Sequence, residues 1–140
     1  MKRSVLLTIT SLLAILLTSF HHADDVARGM APGKFSNLIP ILFLLVWLYG
    51  TLMLAERRAG YLIIFIASLL ASGLPVVHMR GVGLGFGTNR SGGFFFVWTL
   101  ITLGVTALFS VMLSARGLWN PKWGQSRLGS SSPNAADLPK

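Results

Sequence analysis

One short stretch concentrates the side chains that could do chemistry. Residues 21–28 read His-His-Ala-Asp-Asp-Val-Ala-Arg and hold two of the three histidines and two of the four acidic residues of a 140-residue chain. If this stretch is helical, four of its residues fall at positions i, i+3, i+4 and i+7 and share one face: His21, Asp24, Asp25 and Arg28. Imidazole and carboxylate groups on one face could bind a metal ion or transfer a proton.

A second polar group, His78 and Arg80, completes the candidate cluster, which comprises His21, Asp24, Asp25, Arg28, His78 and Arg80. His21, Asp25 and His78 together could form a ligand set for zinc or non-haem iron. A haem held between His21 and His78, or a proton-transfer role for either histidine, is an alternative.

The interpretation favoured by the sequence is purely structural. Asp24 and Arg28 form an i,i+4 pair, Asp25 pairs with Arg80 or Lys34, and the histidines lie at the level of the lipid headgroups. No catalytic residue is assigned, because the sequence contains no nucleophile elbow, no H-E-x-x-H motif and no hydroxylase histidine box.

The composition indicates that lipid surrounds most of the chain. Hydrophobic residues make up 53% and charged residues 11%, and the mean hydropathy is +0.68. The net charge of +8 comes from bases that flank apolar runs, which is typical of membrane topology and argues against a nucleic-acid partner. With no cysteine, disulfides, thiolate metal sites and thiol redox chemistry are excluded.

Four apolar runs position the polar cluster. They cover about residues 4–22, 38–55, 60–77 and 94–115, and predict an all-α bundle of four transmembrane helices over residues 1–123. Residues 124–140 are rich in Ser, Pro, Ala and Gly and predict a disordered tail. The first run also resembles a signal peptide, which would leave three spans, but it lacks a clear small-x-small cleavage site.

The distribution of bases predicts that both termini lie on the cytoplasmic side. Seven bases then lie inside, at Lys2, Arg3, Arg57, Arg58, Arg116, Lys122 and Arg127, against four outside, at Arg28, Lys34, Arg80 and Arg90. This orientation places all three histidines on the outer face. A glycine-rich loop is predicted to begin at His78.

The middle of each predicted span lacks ionisable residues, which disfavours active transport. Small and hydroxyl residues recur at helical spacing, as in Thr99, Thr102, Thr106, Ser110 and Ser114, and indicate close helix packing.

From these features we expect a non-enzymatic accessory or scaffold protein that binds no cofactor. We expect it in the cell membrane, which in a bacterium is the inner membrane. Its expected partners are the lipid bilayer and other membrane subunits or further copies of the chain. The alternative is an enzyme or redox subunit that uses zinc, iron or haem at the polar cluster.

Overall fold

The computed structural model describes residues 3–27, 29, 38–54, 57–82 and 93–119, with only the backbone described at residues 3, 4, 79–82, 93 and 94. Within these ranges the chain forms four helices and no strand, which confirms the predicted all-helical fold. The helices are α1 (Arg3–Ala27), α2 (Leu38–Leu52), α3 (Arg58–Val82) and α4 (Gly93–Leu118). The predicted tail at 124–140 lies outside the described residues.

Three helices are long and apolar enough to cross a membrane. Their candidate spans are Val5–Ala27 in α1, Arg58–His78 in α3 and Phe95–Leu118 in α4. The helix α2 is apolar but has only 15 residues, which gives a length of roughly 22 Å. The cytoplasmic location of both termini stays a prediction.

Contacts between helices show an up-down-up-down arrangement. Thr51, near the end of α2, hydrogen-bonds Ser11 in the first half of α1. The ring of Tyr61, near the start of α3, lies against Gly117 at the end of α4. A Cβ atom at Gly50, near the end of α2, would meet Ile63, near the start of α3. Each helix is therefore antiparallel to the next along the chain, and α1 runs parallel to α3. We call the end of the bundle where α1 and α3 finish the His21 end.

The helices pack through small and hydroxyl side chains. The buried core contains Leu7, Ala14, Trp47, Ile64, Ala67, Ala71, Leu103 and Ala107. Buried hydroxyl residues accompany it at Ser11, Thr18, Thr51, Ser68, Thr99, Thr106, Ser110 and Ser114. Several of these hydroxyls donate to the carbonyl four residues earlier in their own helix, as Thr106 does to Thr102. Most of the larger aliphatic side chains point outward on all four helices, as they do in a protein surrounded by lipid.

Two helices continue past the ends of the apolar runs that predicted them. The helix α1 reaches Ala27, five residues beyond the predicted span, and α3 reaches Val82 instead of giving way to a loop at His78. Pro75 lies inside α3, where its nitrogen cannot donate a hydrogen bond to the carbonyl four residues earlier. Its ring packs onto Gly104 of α4, where a Cβ atom would come within 2.9 Å of the ring. Polar residues at the His21 end are therefore held on helices and not on loops.

Candidate metal centre

Three side chains of the predicted cluster converge at the His21 end. His21 and Asp25 lie one helical turn apart on α1, and His78 faces them from the parallel helix α3. The two histidine Nε2 atoms are 3.4 Å apart. Asp25 Oδ2 lies 3.6 Å from His21 Nε2 and 3.6 Å from His78 Nε2. The three side chains thus form a nearly equilateral triangle of ligand atoms, and it contains the same three residues that the sequence offers as a metal site.

The sides of this triangle are too long for good hydrogen bonds. An N–H···O hydrogen bond is typically about 2.9 Å long and weakens steeply beyond about 3.2 Å. The centre of the triangle, in its plane, lies about 2.0 Å from each of the three atoms, and an ion displaced from that plane lies slightly farther from them, by simple geometry on the 3.4 Å and 3.6 Å sides. Zinc binds histidine nitrogen and carboxylate oxygen at about 2.0–2.2 Å. The triangle therefore has the dimensions of a coordination shell.

The second nitrogen of His78 has a defined role. His78 Nδ1 lies 3.0 Å from the carbonyl oxygen of Leu74. Because a carbonyl can only accept, Nδ1 carries the proton, and the Nε2 lone pair of a neutral imidazole is free for a metal ion. Histidine ligands of metals commonly have such a backbone acceptor on the other ring nitrogen.

Two further polar atoms at the triangle are buried without a partner. Among the described residues, neither His21 Nδ1 nor Asp25 Oδ1 has a hydrogen-bond partner. His21 is only 3% exposed, and the side chains of Asp25 and His78 are 18% and 20% exposed. Burying a carboxylate oxygen without a hydrogen-bond partner is costly, and a cation near the Asp25 carboxylate would reduce this cost.

An aromatic ring closes the α4 side of the triangle. The ring of Phe96 lies 5.1 Å from that of His21 and 6.0 Å from that of His78, measured between centroids. This contact keeps the two imidazoles against each other, with their rings 4.7 Å apart and nearly perpendicular. Phe96 therefore helps to hold the nitrogen atoms in place.

A cavity of about 370 Å³ lies on the other side of the triangle. The helix α2 contributes Ile39, Pro40 and Phe43 to its wall, and α3 contributes Leu70, Ala71 and Leu74. Thr18, His21, His22, Asp25 and His78 line its polar end. The candidate centre thus has one closed side and one side that faces an accessible space.

Of the other members of the predicted cluster, only Asp24 has a described side chain, and it is not one of the three converging residues. Asp24 is half-buried and has an interaction of its own. Arg28, Lys34 and the side chain of Arg80 lie outside the described part of the chain, and with them the ion pairs predicted for Asp24 and Asp25. His22 lines the cavity, but it is not one of the three converging residues.

Sequence reasoning missed two components of this site. Phe96 belongs to the aromatic run at the start of the last apolar segment. Such a run predicts a belt of aromatic side chains at the membrane interface, and it does not predict a contact with histidine. No sequence pattern predicts which residues of α2 line the cavity, because α2 is apolar on all sides. Only the packing of the helices brings these residues to the histidines.

The arrangement of His21, Asp25 and His78 is less suited to a haem than to a bare ion. Two axial nitrogens on one haem iron lie about 4 Å apart, with the macrocycle in the plane between them. Here the nitrogens are 3.4 Å apart, and Asp25 Oδ2 lies close to that plane, 3.6 Å from both. The ligand set suits a bare ion instead.

Comparison with models of known protein families, with curated proteins and with solved structures finds no match for this chain. The positions and chemistry of His21, Asp25 and His78 are therefore the basis for assigning a function.

Proposed function

We propose that this chain is a membrane protein that binds one divalent transition-metal ion, preferentially zinc, through His21 Nε2, Asp25 Oδ2 and His78 Nε2. The observation that carries the proposal is the triangle with sides of 3.4, 3.6 and 3.6 Å. Such spacings are poor for hydrogen bonds and suitable for three ligands of one ion. The proposal also places the protein in the cell membrane.

The spacing supports a tetrahedral site more than an octahedral one. Ligands about 2.1 Å from an ion lie about 3.4 Å apart in a tetrahedral shell and about 3.0 Å apart at neighbouring octahedral positions. The observed 3.4–3.6 Å agrees with the tetrahedral value. Two nitrogens and a carboxylate oxygen, without sulfur, are a common zinc ligand set, whereas octahedral non-haem iron would need a tighter triangle.

The number of ligands favours an open site over a closed structural one. Structural zinc sites have four protein ligands, whereas sites that bind a further molecule have three and leave one position free. Here three groups among the described residues converge, and they border a cavity. The accessory role favoured by the sequence is compatible with this proposal, because an ion shared by α1 and α3 would also hold these helices together.

Metal titration of the purified protein tests the proposal. The protein should be produced without a histidine tag, stripped with a chelator, and titrated with Co²⁺ as a visible substitute for zinc. We expect one Co²⁺ per chain and absorption bands between roughly 500 and 650 nm, as for tetrahedral Co²⁺. Zinc should displace the cobalt and abolish these bands.

Neighbouring residues provide matched controls. His21→Ala, Asp25→Asn and His78→Ala should each weaken binding by about 100-fold or more, because each removes one of three ligands. His22→Ala and Asp24→Asn make the same chemical changes one residue away and should retain binding. Absence of stoichiometric cobalt in the wild-type protein, or equal affinity in Asp25→Asn and Asp24→Asn, would overturn the proposal.

A further inference from the structure

The cavity beside the triangle is polar at one end and apolar elsewhere. His21, Asp25 and His78 border one end. The remaining wall is formed mainly by aliphatic and aromatic side chains of α2 and α3, among them Phe43 and Leu74. A molecule that fills this space must therefore have a polar head and an apolar tail.

The cavity opens toward the surface that lipid would cover. Ile39 and Leu70 line it, yet they are 72% and 60% exposed. Both lie on apolar helices, at the boundary between α2 and α3. A ligand could therefore enter from the bilayer without crossing the helix bundle.

From these features we infer that the cavity binds a single-chain lipid carboxylate, such as a fatty acid, with its carboxylate at the free position of the metal ion. This inference rests on the proposed metal site. A divalent ion with Asp25 as its anionic ligand keeps one positive charge, which a monoanionic carboxylate neutralises; in a low-dielectric setting such neutralisation is strongly favoured.

The volume agrees with one alkyl chain. Ligand pockets typically have volumes of about 300–1,000 Å³, and the cavity of about 370 Å³ lies at the small end of this range. A phospholipid with two long chains does not fit entirely inside this volume. The inference therefore favours a free fatty acid over the phospholipids of the bilayer.

The experiment uses the full chain in phosphatidylcholine nanodiscs, loaded with Co²⁺, and dodecanoate as the probe. A carboxylate that binds the metal should shift the visible cobalt bands in a saturable manner. Acetate, which has the head without the tail, and methyl dodecanoate, which has the tail without a free carboxylate, should leave the bands unchanged at the same concentrations.

Two cavity variants provide the structural control. Ile39→Trp and Ala71→Leu place extra atoms in the cavity without altering a metal ligand. Each should retain the cobalt bands, which shows that the protein is folded, and weaken the response to dodecanoate by about tenfold or more. Using the exposed Ile39 as well as the buried Ala71 keeps the test valid if the buried substitution prevents folding.

The possible failures are distinguishable. If the wild-type protein binds no Co²⁺, both the metal site and the fatty-acid inference are overturned. Normal cobalt bands that dodecanoate does not shift would overturn the fatty-acid inference alone. An equal response to dodecanoate and acetate would show an open metal site without a specific chain-binding cavity, and would likewise reject the inference.

Discussion

The indole Nε1 of Trp47 donates a 2.9 Å hydrogen bond to Ser11 Oγ and thereby joins α2 to α1 inside the bundle. Ser11 Oγ also lies 2.7 Å from Thr51 Oγ1, which in turn donates to the carbonyl of Trp47. All three side chains are buried. The shortest of the four described helices is therefore held by a polar network in addition to its apolar surface.

Trp47→Phe should destabilise the protein. The substitution removes the indole donor and leaves a small void, so we expect a loss of about 1–2 kcal/mol in unfolding free energy. Thermal unfolding in detergent measures this change. Trp98→Phe is the control, because Trp98 is 59% exposed and its substitution should cost less than about 0.5 kcal/mol. Equal effects of the two substitutions would contradict a special role for the Trp47–Ser11 contact.

Gly104→Ala should loosen the packing of α3 on α4. A Cβ atom at Gly104 would meet Pro75 Cγ at 2.9 Å, and the proline ring cannot rotate away. We expect a loss of about 1–3 kcal/mol, typical of overpacking. Gly73→Ala is the matched control on α3, since nothing lies within 4 Å of its Cβ position. If Gly104→Ala proved as stable as Gly73→Ala, close approach at Pro75 would not constrain the fold.

Acidification should release the metal ion. An imidazole must be unprotonated to bind a metal, so protons compete with the ion for the histidine nitrogens of the site. Lowering the pH from about 7.5 to about 5.5 should reduce the Co²⁺ affinity by more than about tenfold, and returning to the higher pH should restore it. Equilibrium titrations at several pH values measure this dependence. A constant affinity across this range would mean that cobalt binds without these histidines.

Thiol labelling tests the orientation. The chain contains no cysteine, so Ala27→Cys and Ala59→Cys each introduce a single reactive group, at opposite ends of the bundle and at exposed positions. The distribution of bases predicts that an impermeant reagent labels Ala27→Cys in intact cells and Ala59→Cys only after permeabilisation. The opposite pattern would place the metal centre on the cytoplasmic side.

The sequence predicts the helices well because hydropathy alone determines which segments can be surrounded by lipid. It also places His21 and Asp25 on one face, since residues four apart in a helix are neighbours. With an antiparallel second helix between them, α1 and α3 must finish at the same end of the bundle. Hydropathy and helical spacing together therefore predict that His78 lies at the same end as His21.

Sequence reasoning could not supply the distances within the site. These depend on α3 remaining helical through Pro75, which directs His78 toward α1, and on how closely α1 and α3 approach. The contribution of α2 to the cavity wall could not be predicted either. A helix that is apolar on every side gives no periodicity from which to infer its buried face. Side-chain packing, and not hydropathy, decides both features.

The short length of α2 has a consequence for the surrounding lipids. Thr51, one residue before the end of α2, is level with Ser11, whereas α1 begins eight residues earlier at Arg3. The α2 side of the protein is therefore short at the end opposite the histidines, next to the exposed bases Arg57 and Arg58. A hydrocarbon core of about 30 Å exceeds the roughly 22 Å of α2, and such hydrophobic mismatch is relieved when the bilayer thins locally. The leaflet beside this turn should accordingly curve inward, with lipid phosphates drawn toward the two arginines, and a membrane of shorter acyl chains would accommodate the protein with less deformation.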